Sequence, residues 1–190
     1  MLDAFKQQAS RSDAIALDIV RRFITTGTSM HVAADAQHRL RQRVHEEFGI
    51  RHQEIMIVGS AHLGFSIAPK KRWRIFNEES DIDLALVSAT LYKDLWFEIA
   101  DLQQKDQLYS WPQRSQWRKN HGRGWLRPDA FPPSPALPRR ARWFEFFNEV
   151  SRDAICGPYK VTAGLYYDMD FLELYQAGAV QECMDELRTF

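Results

Sequence analysis

Apolar and polar residues alternate along this chain in two rhythms, one helical and one of period two. Between Leu2 and Ile24, the residues Phe5, Ile15, Ile19, Val20 and Phe23 fall near one helical face, which predicts a single amphipathic helix. The run Thr25-Thr26-Gly27-Thr28-Ser29 interrupts it and offers a cap for a second helix from about Met30 to Phe48. Gly49 follows where a left-handed residue is cheapest. Glu54 to Val58 is short, apolar and bounded by Gly59, so it reads as a buried strand. A second strand is predicted from Asp81 to Val87, with Asp81 and Asp83 on one face and Ile82 and Leu84 on the other.

Helical spacing returns from Leu91 to Leu108, through Leu95, Ile99 and Leu102. Six of the eight prolines then gather between Pro112 and Pro138, with Gly122 and Gly124, which predicts an extended loop or lid. Helix is expected again from about Arg140 to Asp153, a third strand from Tyr159 to Tyr167, and a last helix from Asp170 to Leu187 broken near Gly178. The succession predicts an α/β (α+β) fold with a small mixed sheet flanked by helices. At 190 residues it is expected to be one domain, 1–190, with an N-terminal helical extension over about 1–28 and a Pro/Arg/Trp-rich insertion over about 110–139.

Composition narrows the function classes. With 45% hydrophobic and 26% charged residues the chain is globular in character. No apolar run approaches the roughly 20 residues of a membrane-spanning helix, and the charged, amphipathic start does not resemble a signal peptide. Cys156 and Cys183 lack metal-ligand spacing and disulfide density, so a zinc site is not expected and a reducing, cytoplasmic setting is.

The net charge of +0 conceals segregation. Trp111 to Arg142 holds eight basic residues (Arg114, Arg118, Lys119, Arg123, Arg127, Arg139, Arg140, Arg142) against Asp129 alone, while six acids crowd the chain after Tyr166. Two readings follow: a field that attracts a polyanion, or a basic loop laid against the acidic C-terminal helix. Trp111, Trp117 and Trp125 lie among the arginines, and rings interleaved with cations suit either nucleic acid or a partner protein.

The segment with chemistry in it is Gly59-Ser60, followed by Ser80-Asp81-Ile82-Asp83-Leu84. A strand that ends in a glycine turn directs backbone N–H groups outward, where they can hold phosphate oxygens, and Ser60 adds a hydroxyl. Two carboxylates on one face of the next strand repel each other unless a cation lies between them. A triphosphate at the turn with magnesium at Asp81 and Asp83 is therefore a nucleotidyl-transfer arrangement. His62, beside the turn, reads as incidental.

Val58-Gly59-Ser60 with Ser80-Asp81-Ile82-Asp83-Leu84 resembles the hallmark of the DNA polymerase β-like nucleotidyltransferase superfamily, and in size the chain is similar to its minimal members. The resemblance covers roughly Met30 to Leu108. It implies a small mixed sheet, a two-metal magnesium site, and transfer of a nucleoside monophosphate from an NTP to an RNA or protein acceptor. Several members of the superfamily belong to bacterial toxin–antitoxin or antiphage systems. By this resemblance Gly59 and Ser60 bind the nucleotide, and Asp81 and Asp83 are the catalytic metal ligands.

Two departures from the pattern stand out. Ile67 to Glu79 lengthens the gap before Asp81 with a basic insert that carries Lys70, Lys71, Arg72, Trp73, Arg74 and Phe76. Active members also take a third carboxylate from a later strand, and none is identified here; Glu145 and Asp168 are the candidates. The alternative reading is accordingly a catalytically degraded subunit of the same fold that acts by binding protein or nucleic acid.

Overall fold

The computed structural model describes residues 1–108 and 110–189. Its centre is a mixed sheet of four strands in the order β1-β2-β4-β3. Strand β1 (Ile55–Val58) runs antiparallel to β2 (Ile82–Val87), β4 (Val161–Tyr166) runs parallel to β2, and the short β3 (Trp125–Leu126) runs antiparallel to β4. The mixed sheet flanked by helices is the α+β architecture expected.

Alternation in the strands divides the interior into two cores. Ile55, Ile57, Ile82, Leu84, Leu86 and Leu165 face one core, where α3 (Ala34–Phe48), α5 (Ala89–Gln104) and α7 (Pro138–Arg152) supply Leu40, Ile99 and Phe146. Val58, Ala85, Val87 and Tyr166 face the other, built with α1 (Leu2–Ala9), α2 (Ala16–Phe23) and α8 (Met169–Arg188). A one-residue slip of β2 would exchange Ile82 and Leu84 with the two aspartates, so burial pins its register.

The N-terminal segment differs from expectation. It forms α1 and α2 in place of one helix, because Ser10 to Asp13 closes on itself: Ser10 donates to the carbonyl of Gln7 and Arg11 pairs with Asp13 at 2.8 Å. Nor is it an appendage, since Phe5, Ala9 and Val20 are fully buried, with Phe5 edge-on to Phe65 and Phe23. Helix α3 begins later than expected because Met30 and His31 are used elsewhere. Their amides donate to the carbonyls of His62 and Ala61, which closes the last turn of the short helix α4 (Gly59–Leu63).

The proline-rich stretch is also more ordered than a loop. It contains α6 (Arg114–His121) and β3, and Pro138 begins α7 at the first turn, where its missing N–H costs nothing. Helix α8 continues through Gly178, whose position faces open space and leaves the ladder uninterrupted. No helix among the described residues is long and apolar enough to cross a membrane.

Candidate functional site

The end of β1 and the start of β2 meet because they are antiparallel neighbours, with Val58 opposite Asp83. Gly59 follows Val58 with φ of +65°, a left-handed conformation that suits glycine and turns the chain directly into α4. A β-carbon on Gly59 would stand 3.2 Å from Asp83 Oδ2, so the turn's backbone and the carboxylate are immediate neighbours. Asp81 and Asp83 are both exposed on this face, while Ile82 and Leu84 are buried behind them. Ser60 is half-buried in the first turn of α4. The structure thus brings Gly59, Ser60 and Asp83 together, with Asp81 two residues away on the same side of β2.

His62 belongs elsewhere. It is 5% exposed, its Nε2 lies 3.0 Å from the Phe23 carbonyl, and burial pushes its pKa down. It ties α4 to the end of α2 and does not reach the carboxylates.

Neither candidate for a third carboxylate joins the pair. Glu145 lies on α7, on the opposite side of the sheet, and its Oε2 pairs with Arg142 at 3.2 Å. Asp168 caps α8 by accepting the amide of Phe171 at 3.0 Å. Because β4 is parallel to β2, Asp168 lies six residues along from Thr162, the partner of Asp83, or about 20 Å at strand rise. Thr162 itself occupies the register position, and its hydroxyl donates to Asp83 Oδ1 at 2.8 Å. Among the described residues there is no group of three or more His, Cys, Asp or Glu side chains placed to hold a metal ion.

Asp83 is exposed as a residue, yet the protein crowded about its carboxylate partly desolvates it. That crowding raises its pKa above the ordinary carboxylate value; the Thr162 bond opposes the rise, Asp81 adds to it, and the charges of Lys71 and Arg127 oppose it. Two cations therefore act on the site. Arg127 continues β3 past Leu126, so it shares the sheet face of Trp125, and its guanidinium lies 5.6 Å from the Trp125 ring centre while chelating Asp129.

Lys71 comes from the basic insert, which the structure shows to be an anchored hairpin. Its strands join through Ser66, Arg74, Trp73 and the Phe65–Ile75 bridge. Arg72 reaches Glu186 at 2.6 Å and Glu182 at 2.9 Å on α8, and Trp73 Nε1 donates to Glu186 at 2.8 Å. The acidic C-terminal helix is thus answered by Arg72, together with Arg21 on Glu173, and among the described residues no ion pair joins it to the 111–142 segment.

Aromatic residues complete the wall beside Thr162. Trp125 stacks on Tyr166 at 6.1 Å and lies 4.4 Å from Tyr175, and it fits because residue 164 is glycine: a β-carbon there would come within 2.6 Å of the indole nitrogen. Burial keeps both phenols protonated, with the charge of Asp83 acting the same way. Thr162 and Gly164 show no sign of this role in the sequence, and Lys71, Arg127 and Trp125, read there only as parts of the basic insert and the basic Trp-rich segment, join the site through contacts distant in sequence. The pairing of β4 with β2 was the missing signal.

The donor set can be weighed on these observations. Two carboxylates and a hydroxyl, with the Lys71 charge nearby, suit one magnesium ion that keeps most of its water or phosphate ligands. A second ion would need a further carboxylate, and the residue opposite Asp83 is Thr162. No family model, curated protein or solved structure matches this chain.

Proposed function

We propose that the chain is a magnesium-dependent nucleotidyltransferase that moves a nucleoside monophosphate from an NTP to an RNA or protein hydroxyl. The observation that carries this reading is the closeness of the Gly59 turn to the Asp83 carboxylate, which a β-carbon on Gly59 would approach to 3.2 Å, at an exposed end of the sheet. A phosphate-holding turn and a metal-binding acid must adjoin if one triphosphate is to touch both.

In this reading the amides that follow Gly59 and the Ser60 hydroxyl hold triphosphate oxygens, while Lys71 offsets their charge and Arg127, already paired with Asp129, adds only to the local field. Asp81 and Asp83 hold the magnesium ion, which when bound neutralises phosphate charge. Thr162 orients Asp83 by fixing one of its oxygens. The acceptor's hydroxyl oxygen bonds to the α-phosphorus and loses its proton to water as the bond to the pyrophosphate oxygen breaks, and pyrophosphate leaves. Asp83 must ionise to hold the ion, so magnesium binding weakens and activity declines in acid.

Thr162 in place of an acid favours the second reading, a degraded subunit that binds nucleotide or a partner without transfer. Labelled NTPs incubated with the protein, magnesium and cell lysate separate the two. The enzyme labels an acceptor that the Asp81→Ala/Asp83→Ala variant leaves unlabelled. Equal labelling by both proteins, or calorimetry showing NTP binding indifferent to magnesium, removes the enzymatic reading.

A further inference from the structure

The three tryptophans of the basic segment face inward. Trp111 donates to the Ala130 carbonyl at 2.9 Å, Trp117 is buried against Trp111, and Trp125 lies against Tyr166 and Tyr175. Several of its basic residues are also neutralised: Arg127 by Asp129, Arg139 by Glu98, and Arg142 by Glu47, Glu145 and Glu149. Arg140 is half-buried, with its guanidinium 5.0 Å from the Phe144 ring centre. Besides it, a compact group remains on and just after α6. Arg114, Arg118, Lys119 and Arg123 are exposed and form no ion pair among the described residues.

The helix is held rigidly from below. Its inner side carries Trp117, Asn120 and His121; His121 stacks on Trp117 at 4.9 Å, and its Nδ1 lies 2.8 Å from the Tyr92 hydroxyl. Two exposed rings from other elements flank it. Trp96 of α5, 44% exposed, has its ring centre 4.5 Å from that of His121. Tyr167, 41% exposed, donates its amide to Gly124 at 2.9 Å, next to Arg123, and packs edge-on to Tyr92.

We propose that the outer side of α6, with Arg123, Trp96 and Tyr167, is a binding surface for single-stranded nucleic acid. Arg114 and Arg118 stand one turn apart, about 6 Å along the axis, and present successive cations to a phosphate backbone. The exposed rings offer faces to unstacked bases, which a duplex does not provide. Ser115 and Gln116 lie among the cations, so the outer side of α6 lacks the apolar centre that a protein interface requires. This inference stands apart from nucleotidyl transfer, and its test uses neither NTP nor magnesium.

The test is fluorescence anisotropy with the full chain and a short labelled single-stranded RNA across a salt series. Four neutralised phosphates give a log–log salt slope near about −2.8, or roughly a 50-fold loss of affinity between 50 and 200 mM salt. Arg114→Gln/Arg118→Gln/Lys119→Gln/Arg123→Gln should bind at least about tenfold more weakly, with a slope near zero. Trp96→Ala should lose about tenfold while Trp96→Phe retains binding, since a ring is what the base needs. All of these side chains are exposed, and unchanged circular dichroism verifies that the variants fold. Absence of binding, unchanged affinity in the quadruple variant or in Trp96→Ala, or tighter binding of a duplex or of polyglutamate of equal charge overturns the proposal.

Discussion

Thr162 donates its hydroxyl to Asp83 Oδ1 at 2.8 Å, from the position directly across the parallel pairing of β2 and β4. The bond favours the ionised carboxylate and works against the crowding and the Asp81 charge that favour the neutral acid. Removing the donor with Thr162→Val should therefore raise the Asp83 pKa further, while Thr162→Ser preserves it. Carboxyl-carbon NMR titration reads this directly. A midpoint that stays or falls in the valine variant would mean the bond is not formed in solution.

The same raised pKa sets a pH dependence of stability. The folded state holds the Asp83 proton more tightly than the unfolded chain, so this group's contribution is fully present below the ordinary aspartate value, near about 3.9. It is lost as pH rises through the folded value. Asp83→Asn stays neutral and can still accept from Thr162. It should be more stable than the parent at neutral pH by no more than about 1 kcal/mol, because solvent screens the exposed carboxylate. That corresponds to roughly 2–4 °C in Tm. The gain should vanish in strong acid. Thermal melts across pH check it, and a gain that persists below the ordinary value contradicts the assignment.

Gly59→Ala tests the turn. Alanine at φ of +65° is strained by roughly 1–2 kcal/mol, and its methyl group stands 3.2 Å from Asp83 Oδ2. The variant should lose about that much stability and also bind NTP more weakly in calorimetry, because the carboxylate must shift. Ser60→Ala keeps the backbone and should change stability by less than about 0.5 kcal/mol. If Gly59→Ala binds NTP as tightly as the parent, the turn's backbone is not the phosphate contact.

The architecture was readable because burial imposes it. Ile82, Leu84 and Leu86 alternate with Asp83 and Ala85, and only one register hides them. The Gly59 turn and the acid pair were visible for the same local reason. What stayed hidden depends on partners distant in sequence. Nothing near Thr162 indicates that β4 lies beside β2, and nothing near Arg72 indicates that its guanidinium meets α8 more than a hundred residues later. The single long N-terminal helix failed on a local competition, the Ser10–Asp13 bonds, which apolar spacing does not register.

Arg72 holds the insert that carries Lys71. Its side chain is 12% exposed and bonds both Glu182 and Glu186. Arg72→Ala should cost about 1.5–3 kcal/mol, the range for charged hydrogen bonds, measured by urea unfolding. Lysine cannot span both carboxylates with a fixed fork, so Arg72→Lys should recover less than half. Arg72 and Trp73 hold the Glu186 carboxyl below its usual value, so this contribution is present above the ordinary range and is lost as pH falls through the lowered one. Stability of the alanine variant should accordingly depend less on pH in acid. An identical acid limb would show that Glu186 gains nothing from the clasp.

Thr162→Asp distinguishes a working site from a degraded one by supplying the missing acid. Residue 162 faces the acid pair's side of the sheet, in register with Asp83, so an aspartate there places three carboxylates together on one face of the sheet. Without cations their repulsion should lower Tm, and the lost Thr162 bond adds to the cost. Magnesium should restore what repulsion removed, because a cation bound only by the folded state stabilises it by mass action. The parent, with two carboxylates, should show a smaller rise in Tm on adding magnesium. If transfer is limited by the absent acid, labelling by Thr162→Asp should exceed that of the parent; if Thr162 is a working part of the site, labelling should fall while the magnesium effect on Tm still grows. A Tm indifferent to magnesium in both proteins would mean that this face of the sheet does not hold the ion at all.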